Sequence, residues 1–327
     1  MRPAFVRVAA GALLAVAAAI TSAAASAQAY PNKPIRLLVP FAAGGPSEIV
    51  ARLLAQRVSD KFGQPIVIEN IGGAGGTLAA NQVVKAPADG YTLFYANAST
   101  LSSSPILFKG AAYDPQKSFS AIGTVAQFHL IFAAHPSVPA ETLAEFVALA
   151  KSQPGKFSYA TPGIGTTPHL AAELMNQELG TALVNIPYKG AAPMMVDLTA
   201  GRVQVAFDQP VLLLPQLRQG KLKALFTTRS QRYEALPNVP TARELGMPSF
   251  DFGSWAAMVG PAGLPAPVMD AWARELQTVA KDRDFQAALE QRGFDVFVLG
   301  PTPTRELIAA EYAKWEKVIR AANIRVD

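Results

Sequence analysis

The sequence predicts an α/β protein made of two similar halves, each a central β-sheet flanked by helices. Three observations predict it. Three strand–loop–helix units follow one another between residues 35 and 100, and that alternation argues a parallel sheet covered on both faces. A second cluster of such units, with glycine loops of its own, runs between residues 156 and 226. Hydrophobic residues make up 50% of the 327 positions, enough to fill sizeable cores.

The chain opens with Arg2 and Arg7, then an uncharged apolar run over residues 8–20, then small residues ending Ala27-Gln28-Ala29. A positive start, an apolar centre and an A-x-A site make a secretory signal peptide. Its strongly apolar part is short for a membrane span, and no basic cluster follows it. Cleavage is expected after Ala29, which leaves residues 1–29 outside the fold. Losing Arg2 and Arg7 takes Lys plus Arg from 29 to 27 against 24 acids, so the charge falls from +5 to +3. No Lys/Arg cluster accompanies that mild excess, which argues against nucleic acid as a partner. The chain has no cysteine, so neither disulfides nor a lipid-bearing cysteine is expected. A freely diffusing, exported monomer is the expectation.

The first unit is the most informative. Residues 35–39 form a short, β-branched apolar run, the pattern of a buried strand. Gly44 and Gly45 open a tight turn, and Pro46 suits the first helical turn, where a missing N–H costs nothing. Ile49, Val50, Leu53, Leu54 and Val58 repeat at helical spacing out to Phe62, and Gly63 can end the helix. A buried strand therefore runs through a side-chain-poor loop into a helix N-terminus, whose free amides and dipole favour a small anion. The geometry is not dinucleotide-specific, since neither G-x-G-x-x-G nor G-x-x-x-x-G-K-[ST] is present.

The remaining elements follow in order. Residues 65–70 read as a second strand, followed by the loop Gly72-Gly73-Ala74-Gly75-Gly76-Thr77 and a helix over 78–85. A turn at 86–90 leads to a third strand over 91–96 that ends in Asn97-Ala98-Ser99-Thr100. Ligands of parallel sheets sit beyond the carboxyl ends of the strands, so the loops at 43–47, 72–77 and 97–100 are expected to share one edge. Strands are expected over 119–125 and 129–134. An amphipathic helix over 141–151 has Thr142 as its cap, and a strand covers 156–160. The segment Thr161-Pro162-Gly163-Ile164-Gly165-Thr166-Thr167-Pro168-His169-Leu170 repeats the glycine-loop theme. Thr166 or Thr167 can cap the helix that runs from it to Gly180. A strand over 183–187 precedes a helix that begins at Tyr188-Lys189-Gly190 and ends at Gly201. Strands over 203–207, with Asp208 at the carboxyl end, and over 222–226 complete this half. Residues 237–240 and 246–248 punctuate a loop, and 252–259 reads as a strand. The tail carries helices over 267–280, 285–292 and 304–322 and a strand over 294–298.

Side chains for chemistry are few. His129, His135 and His169 are the three histidines; without cysteine or H-E-x-x-H, no metal or cofactor is expected. His129 and His135 read as packing or surface residues. No G-x-S-x-G elbow is present and nothing local supplies Ser47 with a base, so no catalytic residue is expected. Asp208 suits either a pocket acceptor or a cap for a helix at Pro210. Lys189 suits either an anion partner or a helix shoulder, and Phe41 either a pocket wall or the core.

Several longer motifs stand in sequence along the chain: Tyr30-Pro31-Asn32-Lys33-Pro34-Ile35-Arg36, Val39-Pro40-Phe41-Ala42-Ala43-Gly44-Gly45 and Asp89-Gly90-Tyr91-Thr92-Leu93. Pro187-Tyr188-Lys189-Gly190 and Asp197-Leu198 with Ala200-Gly201 follow, then Leu236-Pro237-Asn238-Val239-Pro240-Thr241, then Trp255 before Gly260-Pro261-Ala262-Gly263. In these, over essentially the whole chain after Ala29, the sequence resembles the Bug-type periplasmic receptors, the solute-binding proteins of tripartite tricarboxylate transporters. The resemblance implies a type II periplasmic binding protein fold, two lobes joined by a two-crossing hinge that closes on its ligand. The crossings are placed near 129–134 and 251–259. Lobe one is then 30–127 plus 255–327, and lobe two is 128–254.

The resemblance also implies a small carboxylate ligand held by backbone groups, hydroxyls and ordered waters rather than by an arginine clamp. Carried over residue by residue, it places Phe41, Ala43, Gly44, Gly45 and Ser47 on the lobe-one wall. Thr166, Thr167 and His169 match a Gly-x-Gly-Ser/Thr-x-x-His-Leu segment, and Gly190, Ala191 and Asp208 match later pocket loops. The implied partners are inner-membrane transporter subunits or a sensor domain. A carboxylate-processing enzyme on the same fold is the alternative, and it needs a nucleophile–base pair that the sequence does not display. This chain departs from the common pattern at Glu48, at Asn70-Ile71-Gly72-Gly73, where an arginine and a proline are missing, and at Gln204.

Overall fold

A computed structural model describes residues 30–250, 252–321 and 324–325. The expected signal peptide, residues 1–29, and Asp251, the first residue of the expected second crossing, lie outside the described residues.

Local sequence sets the first half. β1 (Ile35–Val39) is buried apart from Arg36 and runs through the glycine turn into α1 (Pro46–Phe62). Gly63 ends α1 at φ 63°, a left-handed conformation that glycine adopts without strain, and its N–H donates to the Ser59 carbonyl. β2 (Ile66–Asn70), a 3-10 turn (Ala74–Gly76) and α2 (Thr77–Val83) repeat the unit, and β3 (Thr92–Asn97) follows. β1 pairs in parallel with β2 and with β3, so Val39, Asn70 and Asn97 end on one edge, as expected. Beyond β3, where a loop at 97–100 is expected, two four-residue helices form, α3 (Ala98–Leu101) and α4 (Ser104–Leu107). Asn97 and Thr100 form a capping box for α3, and the Ser102 hydroxyl donates to the Ala98 carbonyl at 2.5 Å. Such local hydroxyl bonds leave no hydrophobic period to read.

The first sheet is parallel only in part. β4 (Phe119–His129) and β10 (Gly253–Pro261) are antiparallel to each other, and β10 inserts between β3 and β4. With β11 (Phe294–Val296) at the edge, the order is β11-β4-β10-β3-β1-β2. Periodicity marks a strand but not its partner, which is why the antiparallel insertion was not foreseen. β4 runs on to His129, so the next strand, β5 (Ile131–Ala134), starts two residues later than expected. Leu130 lies between them. Its N–H donates to Thr228 Oγ1 at 2.8 Å, and its carbonyl accepts the Thr228 N–H at 2.9 Å.

The second sheet belongs to the other half. Along the chain come α5 (Leu143–Ser152), β6 (Ser158–Thr161), α6 (Thr167–Leu179) and β7 (Val184–Pro187). Then follow α7 (Ala191–Thr199), β8 (Val205–Asp208), α8 (Pro210–Arg218) and β9 (Lys223–Thr227). The order is β7-β6-β8-β5-β9; β6 is parallel to β7 and β8, and β5 is antiparallel to both its neighbours. The chain then returns, and β10 starts at Gly253, paired with His129 of β4. The tail, α9 (Ala266–Ala280), α10 (Arg283–Glu290), β11 and α11 (Pro301–Ala321), packs on the first half, where Trp272 is fully buried against Phe62. Among the described residues no helix is long and apolar enough to cross a membrane.

Candidate functional site

The two halves meet at a chamber of about 50 Å³. From the first half, Phe41, Ala43, Gly45 and Ser47 line it beside Asn97, Ser99, Phe128 and Ser254. From the second half come Pro162, Thr166, Thr167, Gly190, Ala191, Asp208 and Gln209. The chamber shares Phe41, Ala42, Ala43, Pro162, Thr166 and Gly190 with a wider groove of about 760 Å³. That groove is bounded by the loop at 72–75, Phe108, Ile164, Tyr188 and Lys189. The halves touch above it: the Ser103 hydroxyl donates to the Gly165 carbonyl at 2.6 Å. A Cβ on Gly190, whose φ is +121°, would lie 3.7 Å from that of Ala42.

Four helices begin at this chamber. The residues before α1, α6, α7 and α8 are Gly45, Thr166, Gly190 and Gln209, and none caps its helix with a side chain. Proline occupies the first or second helical position of α1, α6 and α8, where it removes an N–H that has no partner anyway. The first-turn amides of a helix have no intrahelical acceptor, and its dipole makes that end positive. The main chain therefore contributes a positive field at these helix starts, with no Lys or Arg among the residues that line the chamber.

Asp208 is the one titratable group among the lining residues. It is fully buried. Its Oδ1 accepts the Gln209 N–H at 2.8 Å, and its Oδ2 has no protein partner. Burial pushes its carboxyl up to about 7, against the pull of the Gln209 N–H. Asp208 is thus a chamber wall, and the cap position of α8 falls on Gln209. Phe41 is also a wall, while Lys189 borders only the outer groove.

Nine of the eleven residues nominated from the sequence surround the chamber: Phe41, Ala43, Gly45, Ser47, Thr166, Thr167, Gly190, Ala191 and Asp208. Gly44 and His169 do not. The Gly44 N–H donates to Glu48 Oε2 at 2.6 Å, so the loop's amide is taken by an acid one helical turn ahead. Gly44 and Arg52 hold the Glu48 carboxyl below its ordinary range. His169 is buried behind the loop, stacked on Tyr159, and its Nδ1 accepts the Gly165 N–H at 3.2 Å. Burial pushes His169 down to about 4, so it is a neutral prop for the glycine loop. Thr166 does not cap α6 with its side chain either; its hydroxyl donates to the Gly163 carbonyl at 2.7 Å.

Phe128, Pro162, Gln209 and Ser254 line the chamber without having been foreseen. Phe128 and Ser254 face each other in the β4–β10 ladder, a pairing no local pattern reveals. A polar residue directly after Asp208 was the available signal for Gln209. Asn70 and the unusual Gly72 serve the loop itself. Asn70 Nδ2 donates to the Phe41 carbonyl at 3.0 Å, and a Cβ on Gly72 would lie 3.1 Å from the Ala42 nitrogen. Gln204, away from the chamber, takes the Ser158 N–H and hydroxyl at its Oε1.

Residues 50–324 match the family described as tripartite tricarboxylate transporter family receptor. The chain belongs to this receptor family. The receptor is 32% identical over 312 residues to protein BugT of Bordetella pertussis, covering 95% of this chain and 96% of that one. Among solved structures, an R. palustris protein with adipate resembles it with a TM-score of 0.87 at 30% identity, over 90% of this chain and 99% of that one. MatC from Rhodopseudomonas palustris, with bound malate, resembles it with a TM-score of 0.81 at 33% identity, over 89% of this chain and 100% of that one. The resemblance read from the motifs holds, and with it the two-lobed α/β fold of a solute-binding receptor.

Proposed function

We propose that the receptor works in the periplasm, capturing a small carboxylate between its halves and handing it to the membrane subunits of a tripartite tricarboxylate-type transporter. The observation that carries this reading is the convergence of four uncapped helix N-termini, from both halves, on a chamber with no Lys or Arg in its wall. Such an arrangement attracts one small anion by main-chain amides and helix dipoles alone. Ser47, Thr167 and waters complete its hydrogen bonds, while the Thr166 hydroxyl stays committed to the Gly163 carbonyl. The ligands named for the two solved relatives, adipate and malate, belong to the same chemical class.

On this reading lobe one is 30–127 plus 255–327, lobe two is 128–254, and they close over the ligand about the crossings near 129–134 and 251–259. Residues 1–29 direct export and are removed, and the protein acts as a monomer without cofactor or catalysis. A ligand that binds only the folded state raises its stability, by about 2.7 kcal/mol at a hundred times its Kd. Purified receptor screened against mono-, di- and tricarboxylates and amino acids is therefore expected to melt higher with at least one of them. No shift with any member of the panel would overturn the reading.

A further inference from the structure

Asp208 is a buried acid with one oxygen unpaired. It ends β8, beside Ile131 of β5, with no exposed surface. Among the described residues, no group hydrogen-bonds to its Oδ2. Two more buried polar atoms of the chamber wall also have no protein partner: Gln209 Oε1 from the same half and Ser254 Oγ from the other. Folded proteins pair nearly all such atoms. An ionised carboxylate oxygen and an amide oxygen can only accept hydrogen bonds, and a hydroxyl can do either. With Asp208 ionised, the group this wall takes is therefore a donor. A ligand carboxylate turned toward Asp208 would meet like charge with no cation in the wall to offset it.

We propose that the receptor selects carboxylates whose other end carries a hydrogen-bond donor, an ammonium or a hydroxyl, and that Asp208 accepts that donor. The inference rests on the cleft being a carboxylate site. The ligand's carboxylate lies at the helix N-termini and its donor enters the inner chamber beside Asp208, Gln209 and Ser254. The two ends of the ligand thus meet opposite fields, amide dipoles at one and a carboxylate at the other. An ammonium also neutralises the buried charge, which a hydroxyl does not. The raised carboxyl of Asp208 agrees with an anion that lacks a counter-charge of its own.

A matched series tests this. Butanoate, 4-hydroxybutanoate and 4-aminobutanoate share one carbon skeleton and differ only at the end away from the carboxylate, and the five- and six-carbon counterparts extend the series. Each is titrated calorimetrically into the receptor and into Asp208→Asn, with thermal unfolding to verify that the variant folds. On the preferred skeleton the amino or hydroxy member is expected to bind about tenfold or more tighter than the unsubstituted one. Asp208→Asn is expected to remove most of that advantage. Whether the amino or the hydroxy member leads tells ammonium from hydroxyl, and either result supports the inference. Equal affinities across the series, or an advantage untouched by Asp208→Asn, overturn it. If the variant does not fold, a crystal structure of the wild-type complex decides. A ligand N–H or O–H heavy atom within about 3.2 Å of Asp208 Oδ2 supports the inference, and a ligand carboxylate or carbon there overturns it. Binding of no carboxylate at all would sink the reading of the cleft, and this inference with it. Carboxylate binding without preference sinks this inference alone.

Discussion

Two helix starts in this molecule meet the same problem in opposite ways. α5 begins on the surface with a complete capping box: Thr142 Oγ1 accepts the Glu145 N–H at 3.2 Å, and the Glu145 carboxylate accepts the Thr142 N–H at 3.2 Å. α1 begins at the chamber after Gly45, with proline next and no capping side chain. α10, away from the chamber, repeats the first solution with Asp282, and α6, α7 and α8 repeat the second. α9 is uncapped as well, after Pro265, and does not border the chamber. A missing cap therefore marks a binding end only where it coincides with a cavity. Where it does, glycine and proline leave the first turn without a capping side chain.

The comparison can be broken hardest at Gly190. Gly190→Val puts a branched side chain at φ +121°, a region closed to it, and against Ala42. Affinity for whichever carboxylate the receptor binds should fall about a hundredfold or more, about 3 kcal/mol, by calorimetry. Unchanged affinity would remove that helix start from the site.

The next effect is on stability and sharpens the contrast between amides and acid in one chamber. Burial raises Asp208 above its ordinary range, so the folded protein holds this proton more tightly than the unfolded chain. Its contribution then falls as pH rises from about 4 to about 7, and levels off above. Asp208→Asn should flatten that fall and stabilise the unliganded receptor at pH 8 by about 1–3 kcal/mol in urea unfolding. A variant less stable than wild type at pH 8 contradicts an uncompensated charge.

Two milder substitutions separate capping from binding. Thr142→Ala should cost about 1 kcal/mol of stability and leave ligand affinity untouched. Ser47→Ala should do the reverse, weakening binding about fivefold, near 1 kcal/mol, with the unliganded melting temperature unchanged. If Ser47→Ala lowers the melting temperature and spares affinity, its hydroxyl belongs to the helix and not to the ligand.

Legibility in the sequence followed the range of the interactions. The strand–turn–helix at 35–63, the Gly63 stop and the Thr142 cap are written in neighbouring residues, and the structure has all three. The placement of β10 between β3 and β4 depends on residues more than 120 positions apart and left no local trace. The chamber residues carried by glycine loops were readable, because a loop beyond a strand's end has one place to go. Phe128 and Ser254 were not, because they look like any other strand positions. Gly44 was misplaced for a reason the sequence does contain: Glu48, four residues on, can reach back to its amide, and it does. His169 sits three residues into α6, and the helix turns that position inward to Tyr159.

The pairing of Gly253 with His129 bears on mechanics. The two passages between the halves are hydrogen-bonded neighbours, and a Cβ on Gly253 would lie only 2.4 Å from the Phe128 carbonyl oxygen. Joined in this way, they form one paired ribbon between the halves. On the proposed closure, the halves pivot on that ribbon, so each return brings the same loops face to face.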